Sequence, residues 1–538
     1  MAYYKDLREY MDALEEKGKL VRMSQPINKD TELHPLVRLQ FRGLPEEERK
    51  TFYFDNVYDA QGKKYSIPVV IAALGASPQV YSVGMMCEVE EIGQKWQQAM
   101  ANPIEPVIVE EGPVQEVVLT GDSLLERGGL DEFPIPLSTP GWDVAPYITS
   151  PYWITKDPET GVRNMGTYRA QLKSPTTTGV YVAKCFRGIG YHWRKARSMG
   201  KPLEAAVVIG ASPNIGYTSV SQMPTDVDEL TVAGGIAGEP VELVKCKTVD
   251  LEVPAHAEIV LEGEISTEEL EPEAPFGEAT GIVGQGEMGL IFTIKCITHR
   301  REPIWQAFLS QFPPSESSVI RQIACANLIP GRMRNELNMP FIRQAGVHFT
   351  NGSDRYVVLQ VDKDTDKAEV WRALEAMPVT FPAFSKVVVA VDEDIDPQNA
   401  NLVNWAITFR SQPHRDVRIV KIHAPDDQDY SLEPPTPEEH PCVALMTQEQ
   451  MPEVSCLLID ATVKWPSPPV SLPKKEFMDG AIKMWQEAGL PPLNLQEPWY
   501  GYSLGFWSED SEQMARLAVK GEYHEIGRMQ AQGRKAIE

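Results

Sequence analysis

The sequence predicts a multidomain α+β and α/β chain in three parts: an N-terminal α/β segment, a central β-barrel-like domain and a C-terminal α/β domain. Three observations lead there. At 538 residues the chain is too long for one ordinary core, so two or three domains are expected. β-Branched runs of strand length crowd the stretch from about residue 150 to 310. Beyond about residue 316, strand and helix patterns alternate.

The first part, residues 1–115, opens with "MAYYKDLREYMDALEEKGKLVRM", a charged amphipathic helix without the apolar centre of a signal peptide. Strands at "TFYFDNV" and "IPVVIAAL" and a helix near "EEIGQKWQQAM" follow. The proline-rich stretches "NPIEPVIVEEGP" and "FPIPLSTPGWDVAP" form a rigid passage into the second part, residues 116–315. There, "YWITKDPETGV" carries a hairpin-like turn, and "TGVYVAKCF", "LEAAVVIGAS", "PVELVKCKTVDLEVPAHAEIVLEGEI" and "GLIFTIKCIT" read as strands. Two helices, "YHWRKARSMG" and "DVDELTVAGG", interrupt them. In the third part, residues 316–475, "RYVVLQVDKDTDKAEVWRALEAM" and "SKVVVAVDEDIDPQNANLVNWAI" share one layout of apolar strand, acidic turn and helix. Two such units imply a partly parallel sheet. Residues 476–538 read as a helix-bearing arm that buries little alone and is expected to dock on a neighbouring subunit.

Charge and cysteine usage narrow the function classes. Fifty-one basic against 76 acidic residues give a net charge of −25, which disfavours nucleic acid, because phosphate binding needs clustered Lys and Arg. A small anionic substrate then requires a locally basic pocket. Seven scattered cysteines without Cys-x-x-Cys argue against zinc knuckles and disulfide frameworks and for a reducing, cytoplasmic setting. No apolar run approaches the length of a membrane span.

Several motifs fail on inspection. "GQGEMG", Gly284 to Gly289, fits G-x-G-x-x-G, but a strand-like run follows where a dinucleotide site needs a helix. The triplets Asp362, Asp364, Asp366 and Asp392, Asp394, Asp396 begin like calcium loops yet lack the glycine and the final glutamate, and are expected to cap helices. His34, His299, His423 and His524 have no ligand-like neighbours. What survives lies in the central part. Arg169 stands on the otherwise apolar strand "NMGTYRAQL" and needs an acidic partner there. "EPEAPFGEATG" offers two, Glu273 and Glu278, around a Pro-Phe-Gly bend. Asn164 lies five residues before Arg169, and Glu229 opens a helix. Taken alone, any one of these reads first as an ordinary structural residue.

Together, "NMGTYRAQ", "DVDELTVAGG", "GEPVELVKCKTVDLEVPAHAEIVLEGEI", "EPEAPFGEATG" and "SKVVVAVDEDID" resemble, in this order, the UbiD family of prenylated-FMN-dependent decarboxylases and carboxylases. The resemblance runs from the N-terminal helix to about residue 410. It implies a central split β-barrel that binds flavin and a C-terminal α/β domain that mediates oligomerisation. It also implies a reversible carboxy-lyase acting on an aromatic or α,β-unsaturated acid, an acyl-CoA such as phthaloyl-CoA included, through a covalent bond between substrate and cofactor. The cofactor would be FMN with an added prenyl-derived ring, made by a flavin prenyltransferase, and the hard chemistry belongs to it.

By motif, the resemblance makes Arg169, Glu273 and Glu278 the catalytic trio, with Glu278 as proton donor or acceptor. Asn164 and Glu229 would hold a divalent metal, Mn²⁺ or Fe²⁺, beside the FMN phosphate, with K⁺ nearby. Met165, Gly166, Thr167, Tyr168, Arg169, Phe186 and Lys386 join the cofactor-binding set. One position departs from the family: Arg187 stands where a metal-binding histidine is expected, and arginine does not ligate metals. Either His192 takes that place or Arg187 meets the phosphate directly. Phe186 gives the pocket a more apolar wall. Two rival readings are a carboxylase subunit that works without prenylated FMN and a non-catalytic assembly subunit. The family also implies a homo-oligomer, dimer or hexamer.

Overall fold

The computed structural model describes residues 2–182, 188–221, 223, 227–284, 286–348, 355–423, 429–432, 442–447 and 450–536. The first helix, Leu7–Glu16, starts at Asp6, whose carboxylate accepts from Arg8 N and Glu9 N. Its apolar residues Leu7, Tyr10, Met11 and Leu14 recur at helical spacing and are all buried. They pack on a four-stranded sheet ordered Leu20–Met23, Thr51–Phe54, Val69–Ile71, Trp305–Ala307. Its last strand arrives from far along the chain and runs parallel to Val69–Ile71, tying the first segment to the end of the central one.

The central sheet has nine strands. Its order is Arg163–Thr167, Tyr152–Lys156, Leu203–Ile209, Ile259–Pro272, Met288–His299, Thr177–Val180, Ala170–Ser174, Tyr147–Ile148, with Val117–Thr120 also paired to Met288–His299. The strand at one end, Arg163–Thr167, and the last but one at the other, Ala170–Ser174, are separated in sequence only by Tyr168 and Arg169. The three Cα steps from Thr167 to Ala170 span roughly 10 Å at most, so the sheet must curl until its two ends meet. That is a barrel with a seam, and Arg169 sits in the seam. The helices Gly188–Ser198 and Glu229–Ala237 lie where the sequence predicts them. A third, Pro213–Val220, was not expected.

The C-terminal sheet is ordered Ile342–Val347, Tyr356–Val361, Val387–Asp392, Glu453–Asp460, Val417–His423. Its three inner strands are parallel and both edges antiparallel. Helices Lys367–Thr380 and Ala400–Arg410 follow the two predicted strand-and-turn units. Asp366 caps the first, as expected, whereas Asn399 caps the second. Asp392 and Asp394 instead hold Arg410, at 3.1 and 2.5 Å. The arm carries helices Lys475–Glu487, Glu509–Ala518 and Tyr523–Ala531, none of which has a buried residue. Among the described residues, no helix is long and apolar enough to cross a membrane.

Candidate active site

Arg169 leaves the seam with both edges of its guanidinium engaged. Nε and Nη2 form a fork onto Glu273, at 3.0 and 2.7 Å, and Nη1 donates to Glu278. The three side chains are 12, 1 and 7% exposed, so this is a buried arrangement and not a surface ion pair. The Tyr181 ring lies under the guanidinium at 3.7 Å and Phe276 flanks it at 5.2 Å.

Local chain geometry explains the acid pair. Glu273 continues the end of strand Ile259–Pro272. The chain then turns at Ala274 and Pro275 into a small hairpin pairing Phe276–Gly277 with Val283–Gly284, closed by Glu278 N donating to Ile282 O at 2.8 Å. Gly281 occupies the left-handed region there, at φ 93°. Three further groups hold this turn. Gln171 Oε1 accepts from Ala274 N at 2.8 Å, Tyr147 OH donates to Ala274 O at 2.9 Å, and Asp143 Oδ1 accepts from Gly277 N at 3.1 Å.

Burial acts to lower the Arg169 pKa, but the charges of Glu278 and Glu273 outweigh it, and the guanidinium is held well above its ordinary value. Burial pushes the Glu278 carboxyl up. Arg169 opposes that, Glu273 adds to it, and the net direction is upward. A carboxyl that retains its proton beside a fixed cation can donate to a reacting carbon.

A second polar cluster lies at the other end of the same strand. Glu229, at the first turn of its helix, accepts from Met165 N at 2.7 Å and from Asn164 Nδ2 at 2.8 Å. Burial raises its carboxyl to about 8, with the Met165 hydrogen bond opposing. Asn164 Oδ1 is buried and has no hydrogen-bond partner among the described residues. Buried acceptors are seldom left so, and an acceptor oxygen beside a carboxylate is a donor set for a hard cation. Gly188 adjoins it at φ 52°, where a Cβ would overlap the Tyr168 hydroxyl and lie 2.9 Å from Asn164 Oδ1. Among the described residues no three His, Cys, Asp or Glu side chains gather as a metal site.

The remaining expected residues fall as follows. Met165 offers its backbone to Glu229 and its side chain to a core cluster with Tyr152, Ile154 and Leu230. Gly166 lies against the Tyr168 ring, Thr167 Oγ1 meets Ser219 Oγ at 2.9 Å, and Tyr168 O accepts from Trp153 Nε1 at 2.7 Å. Lys386 donates to Asp429 at 2.5 Å and Ser431 at 2.9 Å. Between those two partners stands Tyr430, whose hydroxyl is 3.0 Å from where a Gly284 Cβ would sit, with Glu278 Oε1 3.2 Å from the same point. The loop that Lys386 holds therefore reaches Glu278. Phe186 and Arg187 lie outside the described residues. His192 is buried, its Nδ1 2.8 Å from Thr155 Oγ1, and burial lowers its pKa to about 4. Tyr147, Tyr181, Asp143 and Gln171 were missed; Tyr181 alone had a signal, as a polar-tipped ring in the apolar run "TGVYVAKCF".

Known proteins resemble this chain over most of its length. The 3-octaprenyl-4-hydroxybenzoate carboxy-lyase Rift-related domain matches residues 107–312, and the C-terminal domain of the same family matches residues 320–461. An uncharacterised Synechocystis protein is 32% identical, covering 80% of this chain and 87% of its own. An uncharacterised protein of Archaeoglobus fulgidus is 30% identical, covering 80 and 89%. Among solved structures, the UbiD-class enzyme HmfF of Pelotomaculum thermopropionicum in complex with prenylated FMN superposes with a TM-score of 0.71 at 28% identity, covering 87% of this chain and 97% of its own. The vanillic acid decarboxylase of Sedimentibacter hydroxybenzoicus, in its closed form, gives 0.76 at 25%, covering 90 and 100%. Two domain matches that together span more than half the chain, one over the nine-stranded sheet and one over the C-terminal sheet, place it: the chain belongs to the UbiD family of carboxy-lyases.

Proposed function

We propose that this protein is a reversible decarboxylase or carboxylase of an aromatic carboxylic acid that works with prenylated FMN. An aromatic acyl-CoA such as phthaloyl-CoA falls within that substrate class. The observation that carries the reading is the buried trio of Arg169, Glu273 and Glu278 at the barrel seam. The likeness to an enzyme solved with prenylated FMN and to a vanillic acid decarboxylase supports cofactor and substrate class. When bound, the cofactor supplies the electron sink for CO₂ loss.

The residues of the chain do the rest. Glu273 keeps the fork of Arg169 and fixes the plane of the guanidinium. Glu278 shares the remaining Nη1, which is the position a substrate carboxylate needs. Once protonated, Glu278 gives up its charge-assisted bond, opens Nη1 to the substrate and turns into an O–H donor. It then delivers its proton to the carbon that lost CO₂, and takes one back in the carboxylating direction. Tyr147, Phe276 and Tyr181 wall off water, which keeps these charges strong.

Asn164 Oδ1 and the Glu229 carboxylate would hold a divalent cation, Mn²⁺ or Fe²⁺, that offsets phosphate charge, and the space that Gly188 leaves open adjoins Asn164. His192, with Nδ1 committed to Thr155, does not favour the swing toward that cation, so Arg187 as a direct phosphate contact is the preferred alternative. A K⁺ ion near the same phosphate, cofactor supply by a flavin prenyltransferase, a cytoplasmic setting and a homo-oligomer complete the proposal.

The test uses protein produced together with a flavin prenyltransferase. Glu278→Gln should slow solvent-deuterium exchange at the product carbon by about 100-fold or more while the flavin absorbance stays. Exchange at the wild-type rate would remove Glu278 from its role.

A further inference from the structure

Beside the trio lies a third carboxyl, Glu287. The ladder between Ile259–Pro272 and Met288–His299 pairs Glu271 with Gly289 and Pro272 with Met288. Glu273 N donates to Glu287 O at 2.5 Å, so the next pair in register is Glu273 with Glu287. Directly opposed residues of an antiparallel pair present their side chains on one face. A Cβ at Gly289 would lie 3.6 Å from the Glu273 Cβ, which places the diagonal neighbour on that face too. Glu273 directs its carboxylate to Arg169, so Glu287 stands on the Arg169 side of the sheet.

The charges there do not balance. Among the described residues one guanidinium faces three carboxyl groups, and Glu273 and Glu278 already engage all three of its nitrogens. Glu287 has no ion-pair partner among the described residues. The other described groups around it are committed elsewhere: Glu271 to Lys173 at 3.0 Å, Asp143 to the Gly277 and Thr139 amides, Tyr147 to Ala274 O. Burial raises the Glu287 carboxyl to about 7; Glu273 and Glu278 add to that, and Arg169 opposes it. The surplus charge of the cluster is thus relieved by a proton, and Glu287 is the group that no cation among the described residues holds ionised.

We infer that Glu287 is a positioning residue of the reaction, which carries the surplus proton of the acid cluster and, once ionised, keeps the proton on Glu278. The inference rests on Glu278 being the proton donor. Ionising Glu287 adds a negative charge near Glu278 and raises the pH at which Glu278 lets its proton go. Removing that charge lowers it. Glu287 touches neither substrate nor cofactor in this account and acts only through its neighbours.

Two measurements test it on the full-length chain with Glu287→Gln, near-isosteric at a half-buried position, and Glu287→Asp. In the cofactor-free protein, infrared difference spectra between pH 6 and pH 8 should show protonated-carboxyl bands that titrate near neutrality, with Glu229 and Glu316 contributing alongside Glu287; one component should persist in Glu278→Gln, Glu229→Gln and Glu316→Gln and be lost in Glu287→Gln. In the loaded enzyme, the alkaline limb of kcat/KM should move down by about one pH unit in Glu287→Gln and return toward wild type in Glu287→Asp. An unchanged band, or a Glu287→Gln profile superimposable on wild type, overturns the inference. If Glu278→Gln leaves exchange and the alkaline limb intact, the donor assignment fails instead, and the infrared result still decides where the surplus proton resides.

Discussion

At Arg169 three nitrogens serve two acids, and only a planar fork can do that. Arg169→Lys keeps the charge but supplies a single point donor, so one of the buried carboxylates loses its partner. The variant should lose roughly 1–3 kcal/mol of stability, read by denaturant titration, and about 100-fold or more in kcat/KM. Retention of activity would mean that charge alone suffices. The Glu278 acid gives a second expectation. Its ordinary value is 4.5, and burial shifts it upward. Proton donation requires the neutral form, so decarboxylation should persist above pH 4.5 and fall as pH rises through the raised value; a limb at the unperturbed carboxyl value would contradict this. These three residues were legible in the sequence because a charge on an apolar strand demands an acid, and one short bend offered two. Glu287 was not: it sat in the rejected "GQGEMG" motif, and only strand register sets it opposite Glu273.

Among elements, the bent strand from Arg163 to Ser174 organises the whole site. Its first half carries Asn164 against Glu229, its second half pairs with Thr177–Val180 and Tyr147–Ile148, and its bend carries Arg169. The helix Gly188–Ser198 enters beside that strand, and its first residue must be small and left-handed at once. Gly188→Ala would set a Cβ against Tyr168 and Asn164 in a disfavoured backbone region. We expect a cost of about 1–2 kcal/mol and a larger loss of cofactor retention, measured as flavin absorbance per chain after gel filtration. Full retention would show that the space beside Asn164 is not used. Helices with one apolar face could be read from the sequence. Pro213–Val220 could not: it is buried from Pro213 through Ser219, so it has no polar face to set a period, and its Pro, Gly and Ser read as loop. The barrel was legible as strands, but its closure depended on Tyr168 and Arg169 joining two ends of a sheet, which is a property of pairing order.

Across the whole molecule, one of the links between the C-terminal domain and the site is a short loop, residues 429–432. Asp429 takes Lys386 at 2.5 Å and Arg355 at 3.6 Å, and Tyr430 reaches the Gly284 and Glu278 neighbourhood. The arm beyond that domain is held differently. Tyr502 OH donates to Asp394 O at 2.8 Å, and Lys474 meets Glu512 at 2.7 Å, but the arm's three helices bury no residue. Phe477, Met484, Trp485, Phe506 and Trp507 are all exposed, Met484 at 70% and Phe506 at 61%. Scattered apolar residues on a surface are ordinary, but five large ones within about thirty residues of one arm are the composition of a docking surface. Ordering these helices also costs conformational entropy that their own contacts do not offset. A second copy of the chain is the partner consistent with the proposed homo-oligomer. Sedimentation of the full chain should then give a dimer or larger assembly, and a chain ending at Pro473 should give a smaller species with its active-site sheet intact by circular dichroism. If both chains sediment as the same species, the arm is not the joint, and its aromatic residues must be covered by something other than this chain.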